Sequence, residues 1–573
     1  MVKNRLDYRK GLIIATVYDT DLYSSFFYSP FWTQSERKER EFFCILNNTA
    51  VQYLTKRKSM ITQRFIVADE IIQIINDGII NYNKRKEKVY TIKNLPSIKL
   101  LDFQEYSINL MLKHHYQWLF LGMGTGKTLI ALTYIHSVMS ELPSAPMVVV
   151  TKKTVIPQYV DEIQKYLPGV EVFVHERGNV FSSEKQKENQ IVITNYEQIG
   201  KLPLIDYHSI IYDESHFLNG YTSLANKSAT KLNKRAQCVY GLTGTPKDSH
   251  RLELFSQFKT ALPWLAPTLT SFRERYFHLD DHMKPTGEKR PEELEEIIEK
   301  LAYGDTTEEL LGDELPDVKH FLIECEFKNK KIYNYLEKHK IIFFKKSDHS
   351  AVMPAFINEI KLEDLMYLTN TCHIIDPPNE GSLRSKLKQL CNGFLYYVDD
   401  NGEKHIVWTE APKAEAFAKL IGELPNAIVF TQFKPDITIV SKLIDSVGRT
   451  YKVVDSDQSD KINRSIIEEF KTGAFDFLVI HNKSGGTGLH VVNTNNIVYY
   501  ALPESSLLYE QALYRTRRKG QEEDVCYVYS FVVKATVEPR KLLPNLENKA
   551  VGNQIEFEIY RRKNDDDKTE DTY

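Results

Sequence analysis

Three groups of residues in this 573-residue chain have the types and spacing to handle a nucleoside triphosphate. The first is Gly122-Met123-Gly124-Thr125-Gly126-Lys127-Thr128, a glycine-rich turn closed by Lys-Thr. Backbone N–H groups of such a turn can point at phosphates, and Gly124 and Gly126 let the backbone come close. Lys127 offers a point charge to the β- and γ-phosphates, and the Thr128 hydroxyl offers a ligand to Mg2+. One departure stands out: the general pattern wants Gly or Ala five residues before Gly126, where this chain has Leu121. The second group is Asp213-Glu214, in which the first acid can hold Mg2+ and the second can polarise an attacking water. The third is Arg515 with Arg518, two cations that need an anion to serve. Their spacing of three predicts one face of a helix. Upstream, the Gln104 amide can pair with the N6/N7 edge of adenine, and Phe103 can stack nearby.

The elements around these residues follow a pattern. The apolar run Trp118 to Leu121 predicts a strand entering the glycine-rich turn, and Leu129 to Val138 a helix leaving it. Leu101 to Lys113 reads as an amphipathic helix before the turn. Buried strands are predicted at Met147 to Thr151, Gln190 to Thr194, Ser209 to Tyr212 and Gln237 to Leu242, with a helix at Ile156 to Tyr166. Each strand ends in a polar cluster: Lys152-Lys153-Thr154, Asn195-Tyr196, Asp213-Glu214-Ser215-His216 and Thr243-Gly244-Thr245-Pro246. Strands alternating with helices imply a parallel doubly wound sheet, which binds ligands at the carboxyl ends of its strands. The alternation breaks between 266 and 405, read as helical protrusions and a linker. It returns with strands at Ala427 to Thr431, Tyr451 to Val454, Phe475 to His481 and Asn496 to Tyr500, and a second glycine-rich loop at Ser484 to Leu489. After Glu504 a helix is predicted to carry Gln511 through Gln521. Residues 1–95 form an accessory domain with a helix predicted at Ser35 to Leu54 and basic clusters at Lys56 to Lys58 and Lys84 to Lys86. Residues 96–265 and 406–540 are the two α/β lobes, and 541–573 are a tail whose end, from Asn564, is acidic enough for disorder.

Composition narrows the function classes. A net charge of −3 gives no global basic signal, so contact with nucleic acid has to be local. Six scattered cysteines form no C-x-x-C pair, which argues against zinc and disulfides and suits a reducing compartment, the cytoplasm or nucleoid, or the nucleus in a eukaryote. No apolar run is long enough for a membrane span, and no membrane partner is expected.

The ordered set resembles the superfamily 2 helicase-like ATPases, and within them the Swi/Snf-type DNA translocases. Gln104 after Phe103 looks like the family's adenine-reading motif. Gly122 through Thr128 is similar to its phosphate loop, which also lacks the leading glycine. Asp213-Glu214-Ser215-His216 resembles its D-E-A-H box with Ser for Ala. Leu242 through Pro246 is similar to the motif that couples ATP state to the nucleic-acid groove, and Ile428 through Phe433 to the strand signature opening lobe two. Gln511, Arg515, Arg518, Gly520 and Gln521 match the spacing Q-x-x-x-R-x-x-R-x-G-Q, but Tyr514 and Arg517 replace the usual Asp and His, marking a divergent member. The likeness covers about residues 100 to 535.

The resemblance implies two RecA-like lobes with helical protrusions and a small N-terminal accessory domain. It implies ATP and Mg2+ as cofactors. Lys127, Asp213, Glu214, Arg515 and Arg518 would be catalytic, with Arg518 the finger on the γ-phosphate. Phe103, Gln104, Gly122 to Thr128, Gly486, Gly488 and Gln511 would bind the nucleotide, and Thr128 and Asp213 the metal. Candidate phosphate-backbone contacts are Lys152, Thr194, Asn195, Tyr196, Gln432, Lys434, Lys483, Ser484 and Thr487, acting independently of base sequence. The expected partner is nucleic acid, with duplex DNA ahead of RNA or single strands, for a monomer that can use residues 1–95 to meet a protein. Two alternatives stay open: a strand-separating DNA or RNA helicase, and an ATP-gated scaffold in which hydrolysis is dead.

Overall fold

The computed structural model describes residues 4–9, 12–19, 22–23, 33–34, 40–45, 63–69, 71, 90–246, 251–261, 269–281, 285–354, 362–399, 401–481, 491, 493–503, 506–518, 521–542 and 544. The chain forms two compact units that divide between Leu310 and Leu311.

The first unit is built on a seven-stranded parallel sheet. In chain order its strands are β1 (Tyr116–Leu121), β2 (Met147–Thr151), β3 (Glu171–His175), β4 (Gln190–Asn195), β5 (Tyr207–Asp213), β6 (Ala236–Thr243) and β7 (Ala302–Asp305). In space they run β7-β1-β6-β5-β2-β4-β3. Every described residue of β2, β4 and β5 is buried, as expected of strands covered on both faces. Helices α1 (Asp102–Lys113), α2 (Lys127–Glu141) and α3 (Ile156–Tyr166) pack over one face, where Ile130, Ile135, Tyr159 and Ile163 join Leu119, Leu121, Val149 and Ile211 in one core. Because β1, β6 and β5 are neighbours, the three polar clusters at their carboxyl ends lie side by side.

The second unit holds a six-stranded parallel sheet of β8 (Asp317–Cys325), β9 (Ala427–Thr431), β10 (Tyr451–Val454), β11 (Phe477–His481), β12 (Asn496–Tyr499) and β13 (Val525–Val533), in the order β8-β13-β12-β9-β11-β10. Two parallel doubly wound sheets follow the alternating pattern and fit the two RecA-like lobes that the resemblance implies. No described helix is long and apolar enough to cross a membrane, and the described cysteines Cys238, Cys325, Cys372, Cys391 and Cys526 are buried and free.

Three expectations change. The stretch 266–405 is not only helices and linker: β7 completes the first sheet and β8 the second. Ala-Tyr-Gly-Asp is too short to read as a strand, and β8 is an edge strand exposed on both faces, so neither carries the apolar run that marks a buried strand. Within the helix expected over Ser35 to Leu54, Glu41–Ile45 is a strand paired antiparallel with Leu12–Thr16, and Phe42 is buried in that small sheet. Pairing and burial of an aromatic run override the helical look of the charged residues before it. The helix after Glu504 spans only Ser506–Leu513. Both N-terminal basic clusters lie outside the described residues.

Candidate nucleotide site

The glycine-rich turn leaves β1 and enters α2 as a phosphate loop must. Gly124 (φ +76°) and Gly126 (φ +82°) take the left-handed region that glycine alone enters cheaply. The Thr125 hydroxyl donates to the Gly122 carbonyl at 2.8 Å. The Lys127 ammonium lies back along the loop and donates to the carbonyls of Leu121 (3.0 Å) and Gly122 (2.9 Å). Phosphate oxygens are stronger acceptors for an ammonium than backbone carbonyls, so this cation can exchange its partners for a nucleotide's.

Gln104 has a part in the loop that its position in the sequence does not announce. It is buried, its Nε2 donates to the Thr125 carbonyl at 2.9 Å, and its Oε1 accepts the Leu101 N–H at 3.0 Å. A Cβ at Gly126 would stand 2.7 Å from that nitrogen. The amide braces the loop through these two bonds. Phe103 is half-buried and packs on the core beneath α1.

The acids sit at the end of β5. Asp213 is buried and accepts from the Thr151 hydroxyl at 2.9 Å. Burial, and then the neighbouring Glu214, hold its carboxyl well above the usual carboxylate range, against the pull of Thr151, Lys127 and Lys152. Glu214 adopts φ +55°, a left-handed conformation that is strained for a residue with a Cβ. Burial pushes its carboxyl up too, but the hydrogen bond from His216, with Lys127 and Lys152, outweighs that and holds it low. His216 Nδ1 lies 3.3 Å from Glu214 Oε2 and 3.0 Å from Thr243 Oγ1, and Thr243 Oγ1 also reaches Glu214 at 3.4 Å. The Thr245 N–H donates to Thr243 Oγ1 at 3.1 Å. The acid box and the Thr-Gly-Thr-Pro motif therefore form one hydrogen-bonded unit, and a Cβ at Gly244 would come within 3.3 Å of Lys127 Nζ. Two adjacent acids, one of them buried and costly to ionise, suit a divalent cation.

Several expected nucleic-acid contacts turn inward. Thr194 is fully buried and donates to the His175 carbonyl at 2.9 Å. Asn195 Oδ1 accepts the N–H groups of Glu197 (3.0 Å) and Gln198 (3.2 Å), closing its own turn. The Tyr196 hydroxyl donates to the Asp213 carbonyl at 2.6 Å, so the residue supports the acid strand. The hydroxyls of Thr194 and Tyr196 cannot donate to a phosphate backbone without leaving those carbonyls. Lys152 is partly exposed above the Phe217 ring, 5.0 Å from its centroid, within electrostatic reach of both acids.

In the second unit, Lys434 is exposed and paired with Asp457, while Gln432 is half-buried. The turn that carries Gln432 is shaped by Asp436 on helix α4 (Lys434–Ser446), whose Oδ2 accepts the N–H groups of Gln432 (3.0 Å) and Phe433 (2.8 Å). Asn392 Nδ2 donates to Asp436 Oδ1 at 3.0 Å, and the Lys413 ammonium donates to Asn392 Oδ1 at 2.9 Å. Lys413 also donates to Glu538 Oε1 at 2.7 Å, and this ion pair is 0% and 1% exposed. Sequence reasoning missed the whole chain of bonds, because nothing local marks Lys413 or Glu538 as buried.

Burial pushes the Asp436 carboxyl from 3.8 up to about 6. A folded value above the unfolded one means that its contribution to stability is full below about pH 4 and lost as pH rises through 6. Asp436→Asn should lose that slope between pH 4 and 6, measured as the difference in denaturation midpoint between the two proteins across that range.

Arg515 and Arg518 are not on one helical face, because the helix stops at Leu513 and both lie in the turns that follow. Arg515 is buried, its Nε and Nη1 find no hydrogen-bond partner among the described residues, and burial draws its pKa down to about 10. Such a guanidinium calls for an anion. Arg518 is half-buried, and Arg517 Nε donates to the Pro316 carbonyl at 3.0 Å, bracing the entry to β8. Lys483, Ser484, Gly486, Thr487, Gly488 and Gly520, and the side chain of Gln511, lie outside the described residues.

Comparison with known proteins agrees with this geometry. Residues 47–373 match the SNF2-related domain and residues 412–520 the helicase conserved C-terminal domain. The chain is similar to the uncharacterized ATP-dependent helicase of Mycoplasma genitalium, 24% identical over 437 residues, which are 73% of this chain and 38% of that protein. It is also similar to the SWI/SNF-related matrix-associated actin-dependent regulator of chromatin subfamily A containing DEAD/H box 1 of Xenopus tropicalis, 21% identical over 531 residues, covering 82% and 52% respectively. Among solved structures it matches the Sulfolobus solfataricus SWI2/SNF2 ATPase core in complex with dsDNA, with a TM-score of 0.37, 19% identity, and coverage of 79% of this chain and 91% of that one. The chain spans about half the length of the curated relatives it matches, or less. With its first domain match alone covering more than half of its residues, the chain belongs to the SNF2-related family of helicase-like ATPases.

Proposed function

We propose that the chain is a nucleic-acid-dependent ATPase that couples hydrolysis to translocation along duplex DNA, independently of base sequence. The observation that carries the hydrolytic part is the bonded set Glu214, His216 and Thr243 beside the phosphate loop. It ties the group that polarises water to the motif that senses nucleic acid in this family. Lys127 and the loop N–H groups bind the phosphates, and Glu214 takes the proton of the attacking water. Thr128 and Asp213 would hold Mg2+, which supplies charge neutralisation to the phosphates when bound. Arg515 suits an anion, since it is buried and its Nε and Nη1 have no hydrogen-bond partner among the described residues. A hydrolysis-dead scaffold is disfavoured because Lys127, Asp213, Glu214 and Arg518 are all intact. The surviving described candidates for backbone contact are Lys152, Gln432 and Lys434.

The test is steady-state ATP hydrolysis with no nucleic acid, duplex DNA, single-stranded DNA and RNA, across a salt series. Duplex should stimulate most and the stimulation should fall steeply with salt. Equal rates with and without duplex would sink the translocase reading. Strand displacement from a labelled fork would replace it with the helicase reading.

A further inference from the structure

An anion cradle works only if its N–H groups face inward, which obliges its carbonyls to find partners elsewhere. In this loop the Leu121 and Gly122 carbonyls accept from Lys127, Gly122 also from Thr125, and the Thr125 carbonyl from Gln104. The Met123 carbonyl is taken from another direction. Thr307 Oγ1, on the segment that follows β7, donates to it at 2.9 Å.

That segment is built to come this close. β7 pairs in parallel with β1, Asp305 opposite Leu121, and the Gly122 N–H continues the ladder to the Asp305 carbonyl at 2.9 Å. Two glycines permit the approach: a Cβ at Gly304 would stand 2.0 Å from the Phe120 carbonyl oxygen, and one at Gly122 would stand 2.2 Å from Thr307 Oγ1. The segment is also stiff. Asp305 Oδ1 accepts the Thr306 N–H at 2.9 Å, and Thr306 Oγ1 accepts the Glu309 N–H at 3.2 Å. Within a few residues the chain passes the divide at Leu310 and Leu311 into the second unit.

We propose that Thr307 is a positioning residue of the phosphate loop, holding the Met123 carbonyl outward, and that it ties the loop's conformation to the strand by which the chain leaves the first unit. This rests on reading Gly122 through Thr128 as the nucleotide site. When phosphates draw Lys127 off the Leu121 and Gly122 carbonyls, the loop relaxes at its start. The Thr307 bond makes the 305–310 segment take part in that change.

The test compares wild type with Thr307→Val, which keeps the shape and loses the donor, and Thr307→Ser, which keeps the donor. Binding of a non-hydrolysable ATP analogue, KM and kcat for ATP, and amide hydrogen exchange over 305–311 with and without the analogue are measured. In T307V the analogue Kd and the KM should rise about 5- to 10-fold, the worth of one hydrogen bond, while kcat changes less than about 2-fold. T307S should stay within about 2-fold of wild type. Analogue binding should slow exchange over 305–311 in wild type and T307S, but not in T307V. Wild type that fails to bind the analogue would overturn the nucleotide site itself. Wild type that binds, with T307V binding equally well, overturns the role of Thr307 alone. So does an equal loss in T307S, or loss of protection across the whole first unit.

Discussion

Glu214→Gln should bind ATP and all but cease to hydrolyse it. Gln keeps the size of the side chain and can still accept from Thr243, so the local packing at the end of β5 survives. What it removes is a carboxylate that His216, Lys127 and Lys152 hold in its ionised form, ready to take a proton from water. A positioned general base contributes about 10²- to 10⁴-fold, and the fall in duplex-stimulated phosphate release should lie in that range. Nucleotide Kd should change little, because the phosphate grip belongs to Lys127 and the loop N–H groups. A fall in turnover under about 10-fold would take the base role away from Glu214. Asp213→Asn makes the contrast: its loss should appear first as a raised requirement for Mg2+.

Lys413→Met should be the most destabilising single change in the second unit. It strands Glu538, which is 1% exposed and among the described residues keeps the Val533 N–H at 2.9 Å as its remaining side-chain partner, and it removes the donor that orients Asn392 toward Asp436. Breaking one side of a buried ion pair costs about 3–5 kcal/mol, because the remaining charge stays buried. The measurement is the denaturant midpoint of the second unit, followed through Trp408 on the hairpin strand Lys404–Trp408. The double change Lys413→Met with Glu538→Gln should recover a large part of the loss, since a neutral amide still accepts from Val533. If the double variant is as unstable as the single one, the penalty is not the unpaired charge.

What could be read in the residues, and what could not, divides along physical lines. Strands β2, β9 and β10 and helix α3 were legible to the residue, because a clear apolar pattern bounded by polar clusters leaves little choice of element. The phosphate loop and the acid pair were legible because their chemistry depends on neighbours in sequence. Thr194, Asn195 and Tyr196 misled because a polar cluster after a strand serves equally to face a ligand or to close a turn, and only hydrogen-bond partners from distant elements decide. The bond from Gln104 to Thr125 was not legible, because the amide's partner depends on how the helix packs against the loop. Thr307 and Lys413 were invisible, since each acts on residues far away in the chain. The edge strand β8 was missed because exposure on both faces removes the periodicity by which strands are recognised.

That edge strand bears on how the protein is made. β8 pairs along its whole length with β13, from Asp317 opposite Val525 to Cys325 opposite Val533. The first unit's last strand, β7, is already in hand at Asp305, so that sheet can close on the ribosome while most of the second unit is still unsynthesised. β8 emerges next and must wait for a partner that is synthesised much later, presenting Phe321 and Leu322 meanwhile. The second unit thus matures after the first. A fragment begun at 406 would lack β8 and leave the β13 edge bare, whereas one begun at 311 carries both strands of the pair.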